Sequence, residues 1–309
     1  MAVVPKGEEI AVGRRRFVLT NRDKLLFPQD GLTKGDLVAY YRDVAGVMLP
    51  HLRGRPLMLQ RCPDGVAGGC FYQKEASAHF PEWVARVEVP KDRGVVHHVL
   101  CEDEATLAYL AGQACITFHA WTSRADRPDR PDRVVLDFDP SGPDFEPVRA
   151  GALAARRLLE EVGLTPFVGT TGSRGVHVVA PIDRRAGFED VRDFAVRLGE
   201  VLVDADTENL TLEFRKDRRQ GRVLVDVMRN GYSQTAVVPY SVRVLPGAPV
   251  AVPVTWAELE SGSVSPRAYD VGSLRRRLDA AGDTWADLAR NAHPLAGARR
   301  RLEALAPAR

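Results

Sequence analysis

Apolar positions along this chain recur in two rhythms, alternation typical of strands and a three-to-four spacing typical of helices. FVLT (17–20) reads as a strand, and Thr33 then caps a helix predicted over 34–48. PLMLQR (56–61) and VVHHVLC (95–101) read as further strands, 103–113 as a helix, and ACITFHAW (114–121) as a strand. Proline every third residue across 126–133 excludes helix and predicts a surface loop. After it come the strand VVLDFD (134–139), a helix (147–163), strands at 165–170 and 176–181, a helix (188–204) and the strand VLVDVM (223–228). This β-α-β-β-α-β order predicts a ferredoxin-like or RNA-recognition-like sheet with its helices on one face. Short Arg/Ala/Leu helices are expected over 272–305, and loose tails at 1–13 and 294–309.

Two acids interrupt the first strand of that unit. Side chains alternate faces along a strand, so Asp137 and Asp139 share one face while Leu136 and Phe138 take the other. Like charges that close need a counter-charge, which a divalent metal supplies. Taken alone, the pair reads as an ordinary strand end. Asp226, the single acid of VLVDVM, changes that, because the first and last strands of a ferredoxin-like sheet can be neighbours. Three hard oxygen ligands suit Mg²⁺ or Mn²⁺. Asp226 could instead pair with Arg219 or Arg229. Between the acids, Thr170-Thr171-Gly172-Ser173-Arg174-Gly175-Val176-His177 combines glycines, hydroxyls, a guanidinium and an imidazole. Such a turn could cradle a triphosphate, although it lacks the GKS/GKT ending of a Walker A loop and could be a plain β-turn. Acids and turn together point to two-metal phosphoryl or nucleotidyl transfer.

Composition narrows the class without choosing the substrate. The chain has 309 residues, 45% hydrophobic and 27% charged, with a net charge of +2. That predicts a soluble globular protein with a full core, and the balance of charge does not by itself imply nucleic-acid binding. Lysine is scarce: Lys6, Lys24, Lys34, Lys74, Lys91 and Lys216. Cys62, Cys70, Cys101 and Cys115 contain no CxxC spacing, which argues against a structural zinc, the loose His97, His98, Cys101 group notwithstanding. Reduced, mostly buried thiols are expected. No apolar run is long enough to cross a membrane and the N-terminus lacks the apolar core of a signal peptide, so a cytoplasmic, nucleoid-associated protein is expected.

Longer motifs carry a resemblance. LTNRDKLLFP (19–28), RPLMLQRCPDG (55–65), CFYQK (70–74), ITFHAW (116–121), VVLDFDP (134–140), TTGSRGVHVVAP (170–181), GRVLVDVMRN (221–230) and QTAVVPYSVR (234–243) occur in this order. The chain, from about Arg16 to His293, resembles the polymerase domain of bacterial ligase D, a branch of the archaeo-eukaryotic primase superfamily. The resemblance implies an α/β (α+β) primase-polymerase fold, with an RNA-recognition-like (ferredoxin-like) catalytic sheet and an N-terminal α/β subdomain. The expected divisions are 14–113, a catalytic core at 114–260 and C-terminal helices at 261–293. It implies metal-binding acids at Asp137, Asp139 and Asp226. It implies nucleotide contacts at His119, Thr171, Ser173, Arg174, His177, Arg219, Gln234 and Arg243. A DNA 5′-phosphate pocket falls on Asn21, Lys24 and Lys34, and a template-stacking pair on Phe71 and Tyr72. The chain departs from the family's usual TSG at Thr171-Gly172, lysine at Arg174, His-Pro-Trp at His119-Ala120-Trp121, and an aromatic at Val227-Met228.

The activity so implied is template-dependent nucleotide addition at gapped, 5′-phosphorylated or 3′-overhanging DNA ends. It would use Mn²⁺ or Mg²⁺ as two ions and NTP or dNTP substrates, with ribonucleotides preferred. Ku and an ATP-dependent DNA ligase are the implied partners in non-homologous end joining. No ligase or phosphoesterase module fits within 309 residues, so the chain resembles a stand-alone polymerase or a domain of a larger protein. Two other readings share the same residues: a primase starting chains de novo, and a non-catalytic module that bridges broken ends.

Overall fold

The computed structural model describes residues 7–91 and 93–305. They divide into two compact units. The first comprises residues up to Ala120 together with Val237–Val250 and Tyr269–Ala280; the second comprises Trp121–Ala236, Ala251–Ala268 and the residues from Ala281 onward. The expected divisions at 14–113, 114–260 and 261–293 are contiguous in sequence, whereas each compact unit draws on three separate segments. Among the described residues no helix is long and apolar enough to cross a membrane.

In the first unit, β1 (Gly7–Val12) pairs antiparallel with β2 (Arg15–Thr20), Ile10 opposite Phe17. Residues 7–12 were expected as tail; a turn at Gly13, whose φ of +56° suits glycine, instead lets them complete a hairpin. Residues 1–6 of that expected tail lie outside the described residues. Helix α1 (Lys34–Asp43) begins at Thr33 through a capping box with Asp36, as the sequence predicts. It stops at Val44, and a second helix, Ala45–Leu52, continues the apolar pattern. β3 (Leu57–Arg61) lies between β4 (Phe71–Gln73) and β5 (Cys115–Trp121). Arg61 faces Phe71 across the β3–β4 ladder, so Cys62 and Cys70 flank its last rung. They form a disulfide with Cα atoms 4.3 Å apart, against the expectation of reduced thiols. Cys101 and Cys115 are free and buried, and burial pushes both thiols up.

The second unit is built on a six-stranded sheet. Its core is β6 (Arg133–Asp139), β7 (Phe167–Thr170), β8 (Val176–Pro181) and β10 (Val223–Asp226), with the short β9 (Leu210–Thr211) and β11 (Val252–Val254) at the edges. The spatial order is β9-β10-β6-β8-β7-β11. The four core strands thus follow the ferredoxin-like order, last-first-third-second, predicted from the alternation. Helices α2 (Glu146–Glu161) and α3 (Phe188–Ala205) have strongly amphipathic sequences, as a helix covering a sheet requires. Gly151 of α2 passes so close to Phe138 that a Cβ there would lie 3.0 Å from the ring, which places the helical layer on the Phe138 face. Asp137 and Asp139 therefore face the other way. The expected surface loop at 126–133 contains a strand, Arg127–Pro131, paired with Ser123–Arg124. Its prolines bar helix but not an edge strand. In the expected tail, Leu295–Leu305 is a helix that buries Leu295, Ala298 and Leu302; residues 306–309 lie outside the described residues.

Candidate active site

The acid-bearing face of the second sheet has an apolar half and a polar half. Val135 on β6 and Val179 on β8 are register partners, and Trp285 and Leu288 pack over them. Two residues further along β6, Asp137 is paired with His177 on one side and Asp226 on the other. Strand alternation thus converts a covered apolar patch into a cluster of ionisable groups within one step.

Asp137 and Asp226 converge on a single cation. Arg229 Nε lies 3.3 Å from Asp137 Oδ2 and 3.3 Å from Asp226 Oδ2. His177 Nε2 lies 3.5 Å from the same Asp137 oxygen. Burial raises the pKa of Asp137, but His177 and Arg229 more than offset it and hold the carboxyl at about 2. Asp226 moves the other way. Burial raises it, Arg229 opposes, and the neighbouring charge of Asp137 raises it again. Met228 N–H donates to Asp226 Oδ1 at 2.8 Å and fixes the carboxylate plane.

Asp139, at the end of β6, is held separately. Arg174 Nη2 donates to its Oδ1 at 3.0 Å and Arg219 Nη1 to its Oδ2 at 3.2 Å. Arg219 is buried and its other donors are committed to Glu213 O (3.0 Å) and Phe214 O (2.8 Å). Of the two arginines considered for Asp226, Arg229 is the one paired with it, while Arg219 serves Asp139. Among the described residues, no three acidic, histidine or cysteine side chains converge tightly enough to hold an ion; arginines separate them. The donor set nevertheless fits a divalent cation, because two carboxylate oxygens already share one positive charge and a third acid stands two residues from Asp137 on the same face.

The 170–177 turn is a β-turn stabilised from within. Thr171 N–H and its hydroxyl both donate to Gly175 O at 3.1 Å, and the same hydroxyl accepts from Ser173 N and Gly175 N at 3.3 Å. Thr171 is therefore occupied in shaping the turn. Gly172 takes a φ of +64°. Gly175 presses against β6, where a Cβ would fall 1.8 Å from Phe138 O. Ser173 O accepts from Arg267 Nε at 2.8 Å. The structure thus brings Asp137, Asp139, Asp226, Thr171, Ser173, Arg174, His177 and Arg219 to one region of the second unit. Gln234 of this unit is exposed, its backbone N–H bonded to Gly231 O at 3.1 Å.

The first unit carries the rest. His119 lies on β5 opposite Met58, with its ring 5.7 Å from that of Tyr72. Arg243 is half-buried and bonds through its N–H to Pro249 O at 2.7 Å. A 740 Å³ cavity is lined by Gly7, Glu8, Leu19, Asn21, Arg22, Asp23 and Lys24. Asn21 sits at a φ of +51°, and Lys24 Nζ reaches Asp64 Oδ1 at 2.7 Å. Lys34, the first residue of α1, is buried and donates through Nζ to Thr20 O at 2.8 Å. Burial lowers its pKa, and the charges of Lys24 and Arg61 lower it further. Two cations held near each other suit an anion. Phe71 and Tyr72 are 48% and 58% exposed, so core packing is not their role. Arg61 caps the Phe71 ring, 5.7 Å from its centroid. In the zinc-like group, His97 pairs with Glu75 and Glu88, and His98 is buried against Leu57 O.

Sequence reasoning assigned no function to Arg229 or Asn230. Asn230 is fully buried and clamps β6 through Val135 N (2.8 Å) and Val135 O (2.7 Å). The signal available was a basic-polar pair directly after an acid-bearing strand.

Residues 33–285 match the family model described as LigD, primase-polymerase domain. The multifunctional non-homologous end joining protein LigD of Mycobacterium bovis is 34% identical over 287 residues, covering 87% of this chain. The Pseudomonas aeruginosa protein of the same description is 32% identical over 286 residues, covering 92%. The chain spans only 38% and 34% of the lengths of these two relatives. Among solved structures, the polymerase domain from Mycobacterium tuberculosis ligase D in complex with DNA superposes with a TM-score of 0.84 at 33% identity, covering 90% of this chain and 99% of that one.

Proposed function

Since the chain belongs to the LigD primase-polymerase domain family, we propose that it is a template-dependent nucleotidyltransferase that fills gaps and extends DNA ends, with ribonucleotides preferred. The observation that carries the reading is the register pairing of Asp137 with Asp226 and the meeting of both carboxylates at one cation. Mg²⁺ or Mn²⁺, held as two ions by Asp137, Asp139 and Asp226, would supply Lewis-acid activation of a primer 3′-hydroxyl and neutralise the leaving pyrophosphate.

The chain's own residues do the rest. Strand geometry holds Asp137 and Asp226 opposite each other, so little reorganisation is needed at the moment of reaction. Arg174, now on Asp139 and exposed, brings a guanidinium fork suited to phosphate oxygens, while the buried Arg219 adds a fixed positive charge beside them. His177 keeps Asp137 ionised. Thr171 and Gly175 fix the backbone from which Ser173 and Arg174 project. The family resemblance assigns His119, Gln234 and Arg243 to the nucleotide and its sugar. Lys24 and Lys34 with Asn21 would take the 5′-phosphate at the far side of a gap, and Phe71 and Tyr72 would stack on template bases. The neighbouring cations Lys24 and Lys34 favour gap filling over starting chains de novo, which has no 5′-phosphate to recognise. In end joining the partners would be Ku and an ATP-dependent DNA ligase.

The test is extension of a labelled primer on a gapped, 5′-phosphorylated duplex with NTPs or dNTPs in Mn²⁺ or Mg²⁺. Asp137→Ala should lower extension about a thousandfold, the loss of several kcal/mol of charge stabilisation, and leave gap binding nearly intact. Retained extension in that variant would refute the reading.

A further inference from the structure

Arg229 stands where a metal ion would have to be. Its Nε is 3.3 Å from Oδ2 of both Asp137 and Asp226. An ion held by those oxygens sits at about 2.1 Å from each. A guanidinium and a divalent cation cannot both occupy that space, since they repel and compete for the same lone pairs.

The two parts of Arg229 differ in freedom. Its backbone belongs to the short helical turn Met228–Asn230, and Asn230 bolts that turn to β6. Asn230 Nδ2 donates to Val135 O at 2.7 Å and to Val227 O at 2.8 Å, while its Oδ1 accepts from Val135 N at 2.8 Å. Moving the turn away from β6 would break the two buried hydrogen bonds to Val135. The Arg229 side chain, by contrast, is 38% exposed and can rotate outward into water at the cost of its own ion pairs. By comparison, Arg219 is 6% exposed and held by two backbone carbonyls, so it is not free to leave in this way.

We infer that Arg229 is the resident counter-ion of the Asp137–Asp226 pair, and that a divalent metal binds there by displacing its guanidinium. Arg229 is thus a positioning residue that sets metal affinity: it keeps two buried like charges compatible with the folded chain and yields its place on loading. The inference rests on the reading of Asp137 and Asp226 as metal ligands.

The experiment titrates Mn²⁺ alone into the full chain, without DNA or nucleotide, and reads free Mn²⁺ by its electron paramagnetic resonance signal. Arg229→Gln should bind about tenfold more tightly than the parent, corresponding to about 1.4 kcal/mol of competition removed, and Arg229→Lys should stay closer to the parent. Arg185→Gln deletes a charge that faces Asp183 instead, and should leave the affinity unchanged. Asp226→Asn should abolish the tight site. Equal or weaker binding by Arg229→Gln, with the Asp226→Asn loss intact, would overturn the inference while sparing the metal reading. Equal tightening by Arg185→Gln would also overturn it, as a general charge effect. Mn²⁺ binding insensitive to Asp226→Asn would overturn both readings. A purely structural role would lower the melting temperature of Arg229→Gln without changing its Mn²⁺ affinity, and that result too counts against the inference.

Discussion

Asp226 meets two opposing demands. As a carboxylate it is useful to a cation, yet burial disfavours its charge, Arg229 only partly relieves that, and Asp137 adds repulsion. An acid whose folded pKa is raised destabilises the fold wherever it is ionised, and the penalty vanishes below its unfolded pKa. Asp226→Asn should therefore raise the melting temperature at pH 7 while eliminating extension, and the gain should shrink towards about pH 4. Thermal melts across that range check the sign, and a lower melting temperature at pH 7 would contradict it. Asn230 works in the opposite sense. Its removal strands the Val135 N–H and C=O inside the sheet, so Asn230→Ala should cost about 3 kcal/mol in urea unfolding. A cost below about 1 kcal/mol would show that the clamp is dispensable.

At the scale of elements, the loop over 63–69 couples several features of the first unit. Cys62 and Cys70 close it, Val66 N–H bonds to Leu26 O at 2.8 Å, and Asp64 reaches Lys24. The loop thus ties the proposed 5′-phosphate residues to β4, which bears Phe71 and Tyr72. Thiol titration of the unreduced, denatured chain should count two thiols, Cys101 and Cys115, of the four cysteines. Four would exclude the bridge. Removing it by Cys70→Ser should lower stability by about 2 kcal/mol, from the chain entropy of a short closed loop. In the second unit the corresponding feature is the approach of the 170–177 turn to β6. Gly175→Ala should cost about 3 kcal/mol, because the new Cβ meets a backbone oxygen that cannot swing aside.

Over the whole molecule, the proposed metal-binding acids and the proposed 5′-phosphate residues fall in different units, and their effects should separate. Lys24→Ala should reduce the preference for 5′-phosphorylated over unphosphorylated gaps about tenfold, through one lost charge-assisted contact. It should leave Mn²⁺ affinity unchanged. Competition binding with the two gap types measures the first, and equal losses on both would refute the pocket. With a net charge of only +2, affinity for DNA should come from local cationic clusters and weaken as salt is added.

The sequence by itself determined the order of elements and the faces of their residues. Alternation placed Asp137 and Asp139 together, and the β-α-β-β-α-β order predicted the sheet in which Asp226 becomes their neighbour. Those features are local or follow from few topological choices, so one chain suffices to read them. Register and side-chain partnership were not legible. Whether Asp226 faces Asp137 or its neighbour depends on a one-residue choice of strand pairing, fixed by the packed faces of the sheet. Arg229 was one of two candidate partners for Asp226, but its sharing with Asp137, the use of Thr171 within its own turn, the hairpin at the N-terminal end and the Cys62–Cys70 bridge all depend on atoms distant in sequence or on exact register. Only the folded chain brings those atoms together, and that is where the choice of counter-ion for the acids was made.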